Sequence, residues 1–267
     1  MRIHFISGLP RSGSTLLTAI LRQNPVFHAS IKSPLQDMFR SVLVAMSFSE
    51  GGAFIPNDRR QRVLRALVES YYADLATHSL CFDTNRAWCG LLPSLVTLFS
   101  GARLICCVRS IAWVLDSLER LVQRNAFHVS KLFGPDGWYN VYTRVEAVMM
   151  KNGLVGSALA GLRQAWYSEE AGRIVAIRYE SLVESPASVV GRLYECLGEE
   201  PYPHDFEHVE YECPEFDAQV GLPGLHTVLP RVQAVRRKKI LPPDLFARHE
   251  HSFWEEPGQN PRAVTIL

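Results

Sequence analysis

The chain has 267 residues, of which 47% are hydrophobic and 21% charged, and its formal net charge is +1 at pH 7. This length is enough for one large α/β domain with a proper core, with room for a helical insertion. The near-neutral charge argues against nucleic acid as a partner, because proteins that bind it carry a marked basic excess.

Hydropathy and cysteine usage give further expectations about the compartment. No stretch approaches the roughly 18 consecutive apolar residues that a membrane span needs. The first predicted strand starts directly after Met1 and Arg2, which leaves no room for a signal peptide. The six cysteines form no C-x-x-C pair and no Cys/His cluster with the spacing of metal ligands. We therefore expect a cytoplasmic protein with no membrane span and no metal.

The first elements predict a phosphate-binding loop. An apolar run over residues 3–7 predicts a buried strand, and a helical pattern over 13–23 follows it. Between them, Gly8, Gly13 and Thr15 fit the spacing G-x-x-x-x-G-K-[ST], but Ser14 replaces the lysine that reaches the β and γ phosphates. The unpaired N–H groups and the dipole of the helix still favour an anion. The cation of this loop is Arg11.

The rest of the chain alternates between strand and helix patterns. Further strands are predicted over 79–83, 103–108 and 173–178, and helices over 35–48, 59–77, 92–100, 110–126, 137–150, 155–168 and 185–197. Strands separated by helices predict a parallel sheet with helices on both faces, hence an α/β three-layer fold of the P-loop type. Residues 125–170 are predicted as a helical insertion, and together with residues 34–56 they are our candidate for the wall of an acceptor site.

Three later positions can meet the loop at one edge of the sheet. Arg109 follows the strand 103–108, and ligands of open α/β sheets bind beyond the carboxyl ends of the strands. Ser117 lies eight positions further on, about two helical turns along the next helix. Tyr179 follows the strand 173–178, where its ring could stack on a planar base. The loop and these residues can therefore converge on one nucleotide.

These segments resemble the sulfotransferases that use 3′-phosphoadenosine 5′-phosphosulfate (PAPS). Residues 10–15 are similar to the loop that binds the 5′-phosphosulfate, and Arg109 with Ser117 to the pair that grips the 3′-phosphate. The segment 178–182 is similar to one whose tyrosine packs on the adenine. The nucleotide-binding residues that the resemblance implies are Pro10, Arg11, Ser12, Gly13, Ser14, Thr15, Arg109, Ser117 and Tyr179. The chain looks closest to bacterial stand-alone sulfotransferases of natural-product or cell-surface metabolism.

The resemblance also implies the chemistry. PAPS would be the donor and 3′-phosphoadenosine 5′-phosphate (PAP) the product, with no metal, and the acceptor would be a hydroxyl, less often an amine, of a small molecule, lipid or glycan. Many members close a basic C-terminal segment over the 3′-phosphate, which suggests a capping role for residues 221–252. Arg236 and Arg237, in the basic run 236–239, are equal candidates there.

In-line transfer needs a cation near the leaving phosphate and a general base near the acceptor. Arg11 fits the first role by resemblance. The histidine that serves as base in many members is missing from the matching segment 80–88. Our order of candidates for the base is Asp83, at a strand end, then His28, and more distantly His226.

Two other functions are compatible with the pattern. A P-loop small-molecule kinase would share the strand, loop and helix, but its pattern requires a lysine at position 14. A non-catalytic nucleotide-binding protein would keep the fold without the base. The dimerisation motif of the family is absent, so no oligomeric state is predicted.

Overall fold

The sheet of this protein is parallel throughout. The computed structural model describes residues 2–75, 79–134, 137–256, 260 and 264–267. In these residues six strands pair in the order β2-β3-β1-β4-β5-β6. Their bounds are β1 Ile3–Gly8, β2 Phe27–Ala29, β3 Leu80–Thr84, β4 Leu104–Val108, β5 Ile174–Arg178 and β6 Thr265–Ile266. The predicted fold class is confirmed.

Helices cover both faces of the sheet. The described residues form α1 Ser14–Leu21, α2 Leu35–Phe48, α3 Asn57–Tyr71, α4 Leu92–Leu98, α5 Ile111–Arg124, α6 Val141–Met149, α7 Leu154–Trp166, α8 Tyr179–Glu184, α9 Pro186–Leu197, α10 Pro214–Val220 and α11 Pro243–His249. Every residue of β1, β3 and β4 is buried. Alternate strand residues therefore enter two separate cores, with Phe5 and Cys106 in one and Ile6 and Cys107 in the other.

The structure departs from the predicted elements mainly at short segments. Residues 27–29, expected as a connector, form the edge strand β2, because Phe27 and Ala29 pack into one of the two cores. The predicted helix 59–77 ends at Tyr71, and its last two residues lie outside the described ranges. The predicted helix 137–150 begins only at Val141, because the Asn140 side chain caps it. Tyr179 starts α8 at once after β5.

The loop after β1 runs against β4. Gly8 has φ +105°, and a Cβ there would lie 2.2 Å from the backbone oxygen of Cys107. The Ser12 hydroxyl donates to the carbonyls of Leu9 and Cys107, which fixes the loop to β4 from below. Arg11 adopts a left-handed conformation with φ 58°. Only a residue without a side chain fits at position 8, and this contact sets the height of the loop above the sheet.

We expect Gly8→Ala to lower the free energy of unfolding by at least about 2 kcal/mol, because a Cβ there meets backbone and the positive φ is strained. Chemical denaturation would measure the change. Gly191→Ala is the matched control: Gly191 lies within α9, where a Cβ would meet nothing within 4 Å, so stability should stay the same or rise slightly. Equal stability of the two variants would contradict the role of the Gly8 contact.

Candidate active site

A cavity of about 480 Å³ lies at the carboxyl ends of the strands. Residues that follow β1, β3, β4 and β5 line it, and residues 225–237 cover it from the C-terminal part of the chain. Its volume is within the range of small-molecule sites, and its position is the one expected of an open parallel sheet. The residues from our sequence analysis that line it are Pro10, Arg11, Gly13, Ser14, Thr15, Arg109, Ser117, Tyr179, His226 and Arg237.

The N-terminus of α1 faces this cavity. Gly13 occupies the N-cap position and contributes no side-chain hydrogen bond, so the first N–H groups of the helix lack a cap. Ser14 and Thr15, in the first turn, line the cavity. Ser12 does not line it, because its hydroxyl is turned beneath the loop towards Leu9 and Cys107. The prediction that Ser12 binds the nucleotide therefore depends on its backbone N–H rather than on its hydroxyl.

Arg11 connects three parts of the cavity wall. Its Nε donates to Ser117 Oγ over 3.2 Å, and its Nη1 donates to the Leu225 carbonyl. Burial, and next the nearby Arg109 charge, lower the pKa of Arg11 to about 10, so the guanidinium is still charged at neutral pH. Ser117, expected to bind phosphate together with Arg109, is here a partner of Arg11.

Arg109 lies over the ring of Tyr179. Its guanidinium carbon is 4.0 Å from the ring centroid, and its Nε is 3.6 Å from Glu180 Oε1. A Cβ on Gly13 would come within 3.0 Å of the ring edge. The ring therefore packs between the loop and Arg109, and one of its faces is covered by a cation. Arg109 thus occupies one face of the ring, and the predicted stacking of Tyr179 on a base would have to use the other face.

The structure separates the two arginines that the sequence left equal. Arg237 lines the cavity and lies close enough to Arg11 and Arg109 to lower the pKa of both. Arg236 is exposed and does not line the cavity. Three guanidinium groups, those of Arg11, Arg109 and Arg237, thus converge near the N-terminus of α1, and the carboxylate paired with one of them belongs to Glu180. Such an arrangement favours an anion with more than one charge.

Asp83, our first candidate for a general base, does not reach the cavity. It has no exposed surface, and its carboxylate accepts hydrogen bonds from Ser33, Tyr72 and, over 2.6 Å, from Trp88 Nε1. Burial raises the pKa of this carboxyl, against the effect of its donors. The side chain lies on the core face of β3, whereas the next residue, Thr84, lines the cavity. The proposed role of Asp83 as base therefore does not fit the geometry.

His28 does not line the cavity either. It lies in β2, with its ring centroid 5.6 Å from that of Tyr72. Because β2 is the outer strand beyond β3, its residues lie away from the loop after β1.

Of the three candidates for the base, His226 is the one that lines the cavity. Its Nδ1 lies 2.5 Å from Asp217 Oδ1, and its backbone N–H donates to Asp217 Oδ2 over 2.9 Å. Burial lowers the pKa of His226, against the effect of Asp217, and Arg11 and Arg86 lower it further. The lowered pKa favours the neutral ring, and in the tautomer that donates Nδ1–H to the Asp217 carboxylate, Nε2 is the proton acceptor. Sequence patterns carry little sign of this pair, because Asp217 lies on the short helix α10 and His226 in the irregular segment after it.

The two segments expected to form an acceptor wall both reach the cavity. Gln36, Asp37 and Arg40 come from α2, and Leu132 and Leu154 belong to the region 125–170. Arg86 follows β3, lines the cavity and lies close enough to His226 to lower the pKa of its ring. We call the part of the cavity formed by Arg11, Arg109 and Arg237 the basic end. The mixed end is the part formed by Lys32, Gln36, Asp37, Arg40 and Arg86.

In the part of the chain that the structure describes, no helix is long and apolar enough to cross a membrane. No cluster of three or more His, Cys, Asp or Glu side chains is arranged to hold a metal ion in those same ranges.

Comparisons with known proteins agree with the fold. The sulfotransferase domain from the curacin biosynthetic pathway superposes with a TM-score of 0.52 at 22% identity, covering 76% of this chain and 75% of that one. A sulfotransferase from Alicyclobacillus acidocaldarius gives a TM-score of 0.50 at 15% identity, covering 82% and 90% of the two chains. A search of curated sequences returned no significant match. The model of the sulfotransferase family matches residues 4–204, and the chain therefore belongs to that family.

Proposed function

We propose that this sulfotransferase takes its sulfuryl group from PAPS and transfers it to an acceptor hydroxyl. The observation that carries the proposal is the convergence of Arg11, Arg109 and Arg237 on the N-terminus of α1. PAP and PAPS carry phosphate at both the 5′ and the 3′ position, so they need two anion sites in one cavity. The residues of the basic end fit a ligand of that charge.

The position of the basic residues supports an assignment of the two anion sites. We infer that the N–H groups of α1, with Ser14, Thr15 and Arg11, hold the 5′-phosphate side, because the loop and the helix N-terminus face that part of the cavity. Arg109 and Arg237 then hold the 3′-phosphate. Ser117 supports Arg11, and Tyr179 supports Arg109 from below.

We propose His226 as the general base and Asp217 as its positioning residue. The donor supplies an activated sulfuryl group. Nε2 of the neutral ring accepts the proton of the acceptor hydroxyl, while Asp217 fixes the ring orientation and stabilises the imidazolium that forms. Arg11, next to the carbonyl of Leu225, stabilises the charge that develops on the leaving phosphate.

The proposal also covers the domain organisation, the location and the class of acceptor. We propose a single domain over residues 1–267, with an insertion at about 125–170 and a capping segment at about 221–252. We also propose a cytoplasmic location and a role in natural-product metabolism; a sulfotransferase domain of similar fold comes from the curacin biosynthetic pathway. The acceptor would be a small molecule, a lipid or a glycan.

The donor can be tested by calorimetric titration with PAP and, separately, with ATP and Mg²⁺. We expect PAP to bind tightly and ATP weakly. Arg237→Ala should weaken PAP by about 10- to 100-fold, which corresponds to the loss of a charge-assisted contact. Arg236→Ala is the matched control and should change the affinity by less than about twofold, since exposed charges contribute little. Preference for ATP with Mg²⁺ would instead indicate a kinase, and equal effects of the two variants would contradict the assigned 3′-phosphate site.

The base can be tested with the best acceptor from a screen of phenols and alkanols, by following PAP release. His226→Gln should lower kcat by about 100-fold or more while PAP affinity stays within about twofold. Because burial lowers the pKa of His226 from its ordinary value, kcat/KM should be constant near neutral pH and fall as acidic conditions protonate the ring.

His28→Gln provides the matched control for the same substitution outside the cavity, and it should keep both the rate and the pH profile. Asp217→Asn should lower kcat and shift the pH profile, since the ring then loses its anionic partner. A His226→Gln variant with the full rate would remove His226 from the mechanism.

A further inference from the structure

Three cations at the mixed end of the cavity have no carboxylate partner. Lys32, Arg40 and Arg86 all line it, and in the described ranges none of them has a carboxylate oxygen within the 4.0 Å of an ion pair. Asp37 is the acid whose charge acts on this group, and it raises the pKa of both Lys32 and Arg86. Three positive charges and one negative charge thus face the same space.

Among the described residues, no ion pair compensates for the desolvation of these cations. Enclosure by the cavity walls lowers the pKa of Arg86 and of Lys32, so water solvates their charges less well than at an open surface. The Lys32 ammonium lies 4.5 Å from the ring centroid of Phe216, a contact that orients it but leaves its charge. Nearby, the buried Thr84 hydroxyl finds no hydrogen-bond partner among the described residues. An enclosed cation of this kind is stabilised by an anion that enters with a ligand.

This cationic group is distinct from the basic end of the cavity. In the strand order, Lys32 and Arg86 follow β2 and β3 on one side of β1, whereas Arg109 follows β4 on the other side. Arg11 and Arg86 nevertheless both lower the pKa of His226. His226 is therefore close enough to both Arg11, in the phosphate-binding loop, and Arg86, beyond the end of β3, to be affected by their charges.

Apolar side chains line the space next to Arg86 and Lys32. They come from four separate parts of the chain, and they are Ile31, Leu132, Leu154, Ala158, Phe216 and Val220. A ligand with an apolar body and a charged end matches such a surface.

We propose that the acceptor is a hydroxylated apolar acid, whose carboxylate or phosphate is bound by Arg86 and Lys32 while its hydroxyl faces His226. This inference rests on the proposed function, because it takes the basic end of the cavity as the donor site. The anion would fix the acceptor at one end, and the apolar wall would hold its body beside the base. A neutral alcohol would leave both cations unpaired and would bind less tightly.

The test is calorimetric titration of the PAP-loaded protein with matched acid and ester pairs. The probes are 4-hydroxyphenylacetate, 3-hydroxydecanoate and (4-hydroxybenzyl)phosphonate, each against its neutral ester. We expect at least one acid to bind about tenfold or more tightly than its ester, which is the effect of one charge-assisted contact. The pair with the larger ratio distinguishes carboxylate from phosphate-like recognition. If no acid binds, or if every ester binds as well as its acid, the proposal is overturned.

Variants locate the effect. Arg86→Gln and Lys32→Gln should reduce the preference for the acid to less than about threefold, and Arg86→Lys should retain part of it, because the charge is kept. Arg62→Gln is the control, since Arg62 pairs with Asp58 on α3 and does not line the cavity. All variants should bind PAP and PAPS as the parent protein does.

Two outcomes separate this inference from the proposed function. Tight PAP binding without any preference for acids would leave the donor site standing and overturn only the acceptor inference. A loss of PAPS affinity in Arg86→Gln, with the acid preference unchanged, would assign Arg86 to the donor and also overturn it. Failure of the parent protein to bind PAP would overturn both.

Discussion

The hydrogen bonds of the Arg11 guanidinium hold the site together. Arg11 belongs to the loop after β1, its Nε reaches Ser117 on α5, and its Nη1 reaches the carbonyl of Leu225 beside His226. The left-handed backbone at Arg11 and the close approach of Gly8 to β4 direct the side chain across the cavity. One residue thus connects the phosphate-binding loop, the helix after β4 and the segment that carries the proposed base. The positions of these three parts depend on one another.

Much of the frame was predictable because its signals are local. A buried apolar run followed by glycines and a helical pattern specifies the strand, loop and helix around Arg11. Arg109 could be placed at the carboxyl edge of the sheet for the same reason, since the run before it reads as a strand. The edge strand β2 was not predicted, because three residues are too few to show the alternation of apolar and polar residues that indicates a strand. Its packing against the neighbouring core reveals it.

The details of the site depended on contacts that sequence periodicity does not encode. Asp83 stands at a strand end, as a base would, but its neighbours Ser33, Tyr72 and Trp88 surround the carboxylate with donors and remove it from the cavity. It joins the ends of α2 and α3 to β3 instead. Asp217 lies on the short helix α10 and His226 in the irregular segment after it, so the geometry of the pair arises from tertiary packing. The choice between Arg237 and Arg236 likewise depends on which side of one irregular segment faces the cavity.

The boundary of the family match at residue 204 divides the cavity in an informative way. The loop, Arg109 and Tyr179 lie before it, whereas His226, Phe216 and Arg237 lie after it, on a segment that the sheet does not incorporate. Irregular segments of this kind tolerate substitution and insertion far better than buried parallel strands do. Both residues to which we assign the proton transfer and part of the 3′-phosphate site, His226 and Arg237, therefore lie where a change of sequence costs the folded sheet little.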